Sequence, residues 1–305
     1  MPAAQPAGDS LAGRVVGTRV FGFSQGERAG RRDDFVRAVL RGALEAQYRS
    51  GMGRADYVDL LAAGSMPEAC RLPQRYRADW LESYVSRLLG RDLREFSRLS
   101  DPRRLRSLLA GLAAAQGSET VVARLGGAVN LSASTTTSYM ELLRALHLVE
   151  RLPPWTPNLL KREVGRSKYL LTDSALAMRL TRTSPDTLKD LVRGGALGGL
   201  LEAFVAAELM RQSTWCEERF TISHYRSPDG REIDLILELD DGRVIAVEVK
   251  AASSASAADA RHLRWLEERI GDRLAAGVVL TTDDRSRHLG GRLWAVPVAA
   301  LWELG

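Results

Sequence analysis

Two carboxylates and a lysine sit where burial should penalise them, inside the segment REIDLILELDDGRVIAVEVK that runs from Arg231 to Lys250. Apolar residues alternate as in strands and Asp241-Gly242 marks a tight turn, so the segment predicts a β-hairpin. Side chains alternate faces along a strand, which puts Glu248 and Lys250 on one face and Val247 and Val249 on the other. The place of Asp234 depends on the turn. A two-residue loop of Asp241 and Gly242 sets it opposite Val249, with the carboxylates on different faces. A three-residue loop of Asp240, Asp241 and Gly242 sets it opposite Glu248 and gives Gly242 the left-handed position such turns want. The longer loop is the better fit. Facing carboxylates repel unless a cation neutralises them. Asp234 and Glu248, with a backbone carbonyl and waters, make a reasonable Mg²⁺ site. Lys250, one step along the strand, suits a water or a scissile phosphate beside that ion. The plainer alternative is a simple ion pair with Arg231 or with Lys250 itself.

The lysine is informative because lysines are scarce. Only Lys161, Lys168, Lys189 and Lys250 stand among 43 basic residues, the rest being Arg. An ammonium approaches a phosphate or a water at a single point, which a guanidinium does not. Net charge is +5, which permits a polyanionic partner without requiring one. Cys70, Cys216 and four scattered His argue against a structural zinc or a disulfide scaffold. No apolar run reaches the roughly 18 residues of a membrane span, and the N-terminus lacks a secretory pattern. The expectation is a cytoplasmic protein with no membrane partner.

The elements that must position these groups can be read along the chain. Residues 14–23 alternate like a strand, and residues 33–97 are helical in several pieces. Residues 71–106 are locally basic, as a solvated helix face or a nucleic-acid surface would be. Residues 101–175 read as a winged helix-turn-helix. PRRLRSLLAGLAAAQ is its first helix, SETVVARLGG a short second one with Ser118 placed to cap it, and NLSASTTTSYMELLRALHLV a third with serine caps. HLVERL and SKYLLTD are then the wing strands, with a loop containing Lys161, Arg162, Arg166 and Lys168 between them, and Lys161, Arg162 and Lys168 are expected to contact nucleic acid. The N-terminal turn of such a third helix meets DNA. Here it offers Ser134, Thr135 and Thr136, which suit phosphate contacts, a water-facing turn or a surface for another domain. Beyond Asp173 the order is helix (LLEAFVAAELMRQ), three strands, helix (SASAADARHLRWLEERI, with several serine caps available) and strand. RLWAVPVAALW closes the chain as an edge strand or short helix.

Glu202 on a helix, Asp234 on one strand and Glu248-Val249-Lys250 on the next resemble the PD-(D/E)xK nuclease superfamily, over roughly residues 197–301. The resemblance implies a restriction-endonuclease-like α-β-β-β-α-β core. It implies that Asp234 and Glu248 hold Mg²⁺, that Lys250 positions the nucleophile and that Glu202 tunes the site. The fold class expected is therefore α/β (α+β), with a helical region at 1–100, the winged helix at 101–175 and the nuclease-like domain at 176–305. The whole chain is also similar to a family of bacterial AAA+-like ATPases with an uncharacterised C-terminal domain. The matching pieces are SLAGRV, FSQGE, GSMPEA, YVSRLLGRDL, RLPPWTPNLLKR, KYLLTD and LLEAFVAAEL. SLAGRV corresponds to the end of that family's ATPase domain, so residues 1–100 include its remnant. The phosphate loop G-x-x-x-x-G-K-[ST] is missing from the sequence, and no ATP site is expected. The resemblance implies an Mg²⁺-dependent DNA nuclease and a separately encoded ATPase half. The alternatives are a non-catalytic DNA-binding or regulatory module and a truncated remnant.

Overall fold

A computed structural model describes residues 17, 19–92, 101–156, 165–192 and 194–304. The expected loop residues Lys161 and Arg162 lie outside them. Helices α1 (Gln25–Ala29), α2 (Phe35–Leu40), α3 (Arg54–Ala63), α4 (Pro67–Cys70) and α5 (Gln74–Arg87) form the N-terminal region. Ser24 and Glu27 close a capping box on α1, and the Asp34 carboxylate caps α2. Residues 19–23 form no strand, contrary to their alternation. Phe23 donates one backbone bond to Ser65 O (2.8 Å), which is no ladder. These helices are tied to the rest of the chain by long-range bonds. Arg54 donates to Ala251 O (2.8 Å) and Leu188 O (2.9 Å), and the Tyr57 hydroxyl accepts from Ala299 N (3.0 Å).

Next come α6 (Pro102–Ala114), α7 (Val122–Ala128), α8 (Ala133–Ala145) and the antiparallel pair β1 (Val149–Leu152) and β2 (Lys168–Leu171), in register Val149 with Leu171. The two expected hairpin strands are present. Ser132 caps α8, accepting from Thr135 N (3.2 Å). Ser118 does not cap α7, because that helix starts at Val122 and its N-cap position is Val121. The aspartate of KYLLTD links the units. Asp173 accepts from Ser65 N (2.7 Å) with one oxygen and from Leu176 N (2.7 Å) with the other, capping α9 (Ser174–Thr181).

After α10 (Pro185–Lys189), helix α11 (Leu197–Gln212) leads into a mixed six-stranded sheet ordered β3-β4-β5-β6-β8-β7. Its strands are β3 (Phe220–Arg226), β4 (Glu232–Leu239), β5 (Val244–Lys250), β6 (Leu274–Thr281), β7 (Arg287–Gly290) and β8 (Leu293–Pro297). Helix α12 (Arg261–Ile270) crosses from β5 to the parallel β6, and α13 (Ala300–Glu303) ends the described chain. The expected order of one helix, three strands, helix and strand is present. The terminal segment adds an inner strand, β8, with β7 rather than β8 at the edge. Helix α12 starts at Arg261 with no side-chain cap; Ser256 instead bonds Asp259 in the preceding turn.

One apolar core lies on the α11 side, where Leu201 and Val205 meet Leu235, Leu237, Ile245 and Val247. The other lies under α12, where Leu263 and Leu266 meet Ile233, Ile236, Val244 and Ala246. Leu235 and Ile233 thus belong to opposite sides although they are two residues apart. The register explains this: Ser223 pairs with Ile236 but Tyr225 with Ile233, so His224 faces both Asp234 and Leu235. That is a β-bulge on β4, which re-aims the side chains it contains.

Candidate functional site

The β4–β5 turn has the longer of the two loops weighed from sequence. Leu239 N bonds Arg243 O (2.9 Å), Asp240 to Gly242 form the loop, and Gly242 has φ +84°. Leu235 pairs with Val247, so Asp234 stands one step beyond the last paired residues, opposite Glu248. The bulge modifies the expectation that both carboxylates share a face. Asp234 turns along the sheet, and its Oδ2 accepts from Val249 N (2.8 Å). Glu248 Oε1 accepts from Lys250 Nζ (2.7 Å), so the simple ion pair with Lys250 forms; Arg231 pairs with Asp229 instead. The second oxygen, Glu248 Oε2, is buried with no hydrogen-bond partner.

Glu202 comes from α11, and two glycines let that helix start close to the turn after α6. A Cβ on Gly199 would lie 2.4 Å from Gln116 O, and one on Gly117 2.9 Å from Glu202 Oε2. Between Glu202 and Asp234 lies the ammonium of Lys168. Lys168 Nζ is 2.8 Å from Glu202 Oε1, 3.0 Å from Glu232 Oε1 and 3.8 Å from Asp234 Oδ1, and the residue is 2% exposed. This corrects the expectation that Lys168 faces a nucleic acid. It is the first residue of β2, and three carboxylates hold it inside the protein.

The electrostatics follow from burial and crowding. Burial, and then Asp234, push Glu202 up to about 8 against the pull of Lys168. The same two causes push Glu248 up to about 7 against Lys250. Burial also raises Asp234, opposed by Lys168 and the Val249 N–H. Burial would lower Lys168, but Glu202, Asp234 and Glu232 outweigh it and the ammonium is held protonated. Glu232 goes the other way, since Lys168 and Arg226 outweigh its burial. His224 is driven down to about 4 by burial and then by Lys168, and its Nε2 meets Arg166 O (3.1 Å).

The donor chemistry fits a hard dication: two carboxylates of raised basicity, one with a buried unbonded oxygen. The fit is a two-carboxylate one. Among the described residues no three His, Cys, Asp or Glu side chains are gathered as a metal site, and Glu202 is engaged by Lys168.

The remaining residues proposed from sequence lie elsewhere. Ser134 is exposed and Thr135 half-buried at the start of α8, both bonded to Ser132 Oγ (3.0 and 2.8 Å). Thr136 is fully buried and donates to Ser132 O (2.8 Å), so it cannot meet a nucleic acid from that position. Trp155 is buried, and Trp215 donates its indole N–H to Asp33 O (2.7 Å). Sequence reasoning missed Glu232. Its signal was available, since it stands two residues before Asp234 in the same apolar strand.

Residues 197–301, which carry all four acids, match a family model described as Domain of unknown function (DUF4143). Residues 54–187, which carry Lys168, match one described as Domain of unknown function (DUF8612). The Lys168 ion pairs therefore join two separately matched segments. The chain is 26% identical over 250 residues to Uncharacterized protein Rv2008c of Mycobacterium tuberculosis and, equally, to Uncharacterized protein Mb2031c of Mycobacterium bovis. The match covers 82% of this chain and 50% of each relative, so the chain spans about half the length of the curated relatives it matches. No solved structure matches significantly. No helix among the described residues is long and apolar enough to cross a membrane.

Proposed function

We propose that residues 176–305 form a PD-(D/E)xK nuclease-like domain, preceded by a winged helix at 101–175, and that the chain is an Mg²⁺-dependent DNA-cleaving protein with no ATP site of its own. The observation that carries this reading is Glu248 Oε2, a buried carboxylate oxygen without a partner beside a second raised carboxylate, Asp234. Such an atom is costly to leave unsatisfied, and a cation removes the cost. The order of elements and the three-residue turn agree with it.

Asp234 and Glu248 would hold the ion, which supplies Lewis-acid stabilisation at the phosphate. The half-exposed Lys250 ammonium, held by Glu248, neutralises charge on the phosphate as the reaction proceeds. In the balanced step a water oxygen bonds to phosphorus and the ester P–O bond breaks. The water loses a proton to solvent and the leaving oxygen takes one up. The exposed Ser134 and the half-buried Thr135 at the start of α8, with Lys161 and Arg162, are the candidate phosphate contacts. A separately encoded ATPase half is proposed as a partner on the resemblance alone, and the cytoplasm as the compartment.

A second reading, a non-catalytic DNA-binding or regulatory module, is favoured by the Lys168 ion pairs, which already neutralise part of the acidic site. Plasmid nicking with Mg²⁺ or Mn²⁺ separates the two. The nuclease reading expects nicking by wild type and none by Asp234→Asn or Lys250→Met. DNA binding without nicking in any metal would favour the module.

A further inference from the structure

Lys168 and the four acids belong to different parts of the chain, which share one apolar core in which Leu170 and Leu171 of β2 lie with Leu201 and Phe204 of α11. The hairpin side of this junction reaches the sheet through Pro153 and Trp155, which exchange backbone bonds with His224 (His224 N to Pro153 O, 2.9 Å; Trp155 N to His224 O, 2.5 Å). His224 is also the β3 residue that faces the bulge holding Asp234. One docking event thus braces the bulge and delivers the Lys168 ammonium to Glu202, Glu232 and Asp234. Lys168 is shared by three acids of which only Glu232 has a second cation, Arg226 at 3.5 Å, so the set has room for further positive charge.

The geometry points to Lys168 as a built-in counter-cation that closes the acidic site and competes with a divalent ion for it. A dication on Asp234 repels an ammonium 3.8 Å from the same carboxylate, so the two neutralise the site in alternation. Divalent binding then loosens β2 from Glu202 and Glu232, and anything that draws the hairpin away primes the site. This rests on the metal-site reading above.

The test titrates Mn²⁺ by calorimetry into wild type, Lys168→Met, Glu232→Gln and Asp234→Ala, and follows amide hydrogen exchange in residues 168–171 of wild type with and without Mn²⁺. Lys168→Met should bind Mn²⁺ roughly tenfold tighter or more, because the competing charge is gone. Glu232→Gln, which weakens the hold on Lys168 at a half-exposed acid, should gain less, and Mn²⁺ should speed exchange in β2. Equal affinity in wild type and Lys168→Met, with exchange unchanged and binding lost in Asp234→Ala, overturns the competition and leaves the metal site standing. Heat in none of the proteins overturns the metal site itself. Should Lys168→Met fail to fold with or without Mn²⁺, unchanged affinity in Glu232→Gln overturns the proposal, and a gain there supports it.

Discussion

Helix α11 carries two acids, the fully buried Glu208 and the partly buried Glu202, and they are neutralised differently. Glu208 has one cation from its own helix: Oε1 accepts from Arg211 Nη1 (2.9 Å) and Oε2 from Gln25 N (2.8 Å). Arg211 also donates from Nε to Gly22 O (3.0 Å) and from Nη2 to Thr172 O (2.9 Å). Acid and guanidinium are matched, and every oxygen is bonded. Two turns earlier, Glu202 belongs to a set in which four carboxylates share the ammonium groups of Lys168 and Lys250, with Arg226 at the rim. One oxygen there has no partner. The first arrangement fastens the N-terminal segment to the core. The second holds surplus negative charge, which is what a cation-binding site requires. Burial alone does not tell them apart; stoichiometry does.

The difference can be broken by substitution. Arg211→Met leaves Glu208 buried and unpaired and is expected to cost about 3–5 kcal/mol in denaturant unfolding, without altering Mn²⁺ affinity. The pH response comes next. Burial pushes Glu208 up to about 7 despite Arg211, so the folded chain holds that proton more tightly than the unfolded chain does. The stabilisation is full below pH 4.5 and is lost as pH rises through 7, by roughly 3 kcal/mol at 1.36 kcal/mol per unit. Unfolding of Glu208→Gln across that range should show a flatter slope. The acidic site should respond with the opposite sign to loss of a charge. At pH 8, Glu248→Gln removes surplus charge and is expected to stabilise the metal-free protein by about 1 kcal/mol while abolishing Mn²⁺ binding. A loss of stability there would mean that the set is matched after all.

What the sequence made legible was local. The three-residue turn followed from the left-handed demand on Gly242, and its register set Asp234 opposite Glu248. The Glu248–Lys250 pair followed from strand alternation. The scarcity of lysine marked Lys168 as a residue to watch, but its position was read as outward because nothing local opposes that. Its partners come from α11 and β4, and only tertiary packing brings them to β2. The bulge was hidden for a similar reason. Asp234 and Leu235 carry no glycine or proline to announce it, and it appears only when β3 supplies one residue, His224, against two. The third-helix cap at Ser132 was legible from composition, whereas the burial of Thr136 within the same polar run was not.

The smallest effect tests the turn. Gly242→Ala, at φ +84°, should cost about 1 kcal/mol and leave Mn²⁺ affinity within twofold, because strain in the loop does not reach the bulge.

The most direct measurement of the surplus-charge account is a calorimetric titration of Mn²⁺ at pH 8 into wild type, Asp234→Ala and Glu208→Gln. The account predicts saturable binding to wild type and to Glu208→Gln, and no heat with Asp234→Ala. Equal heat from all three proteins, or none from any, would contradict it.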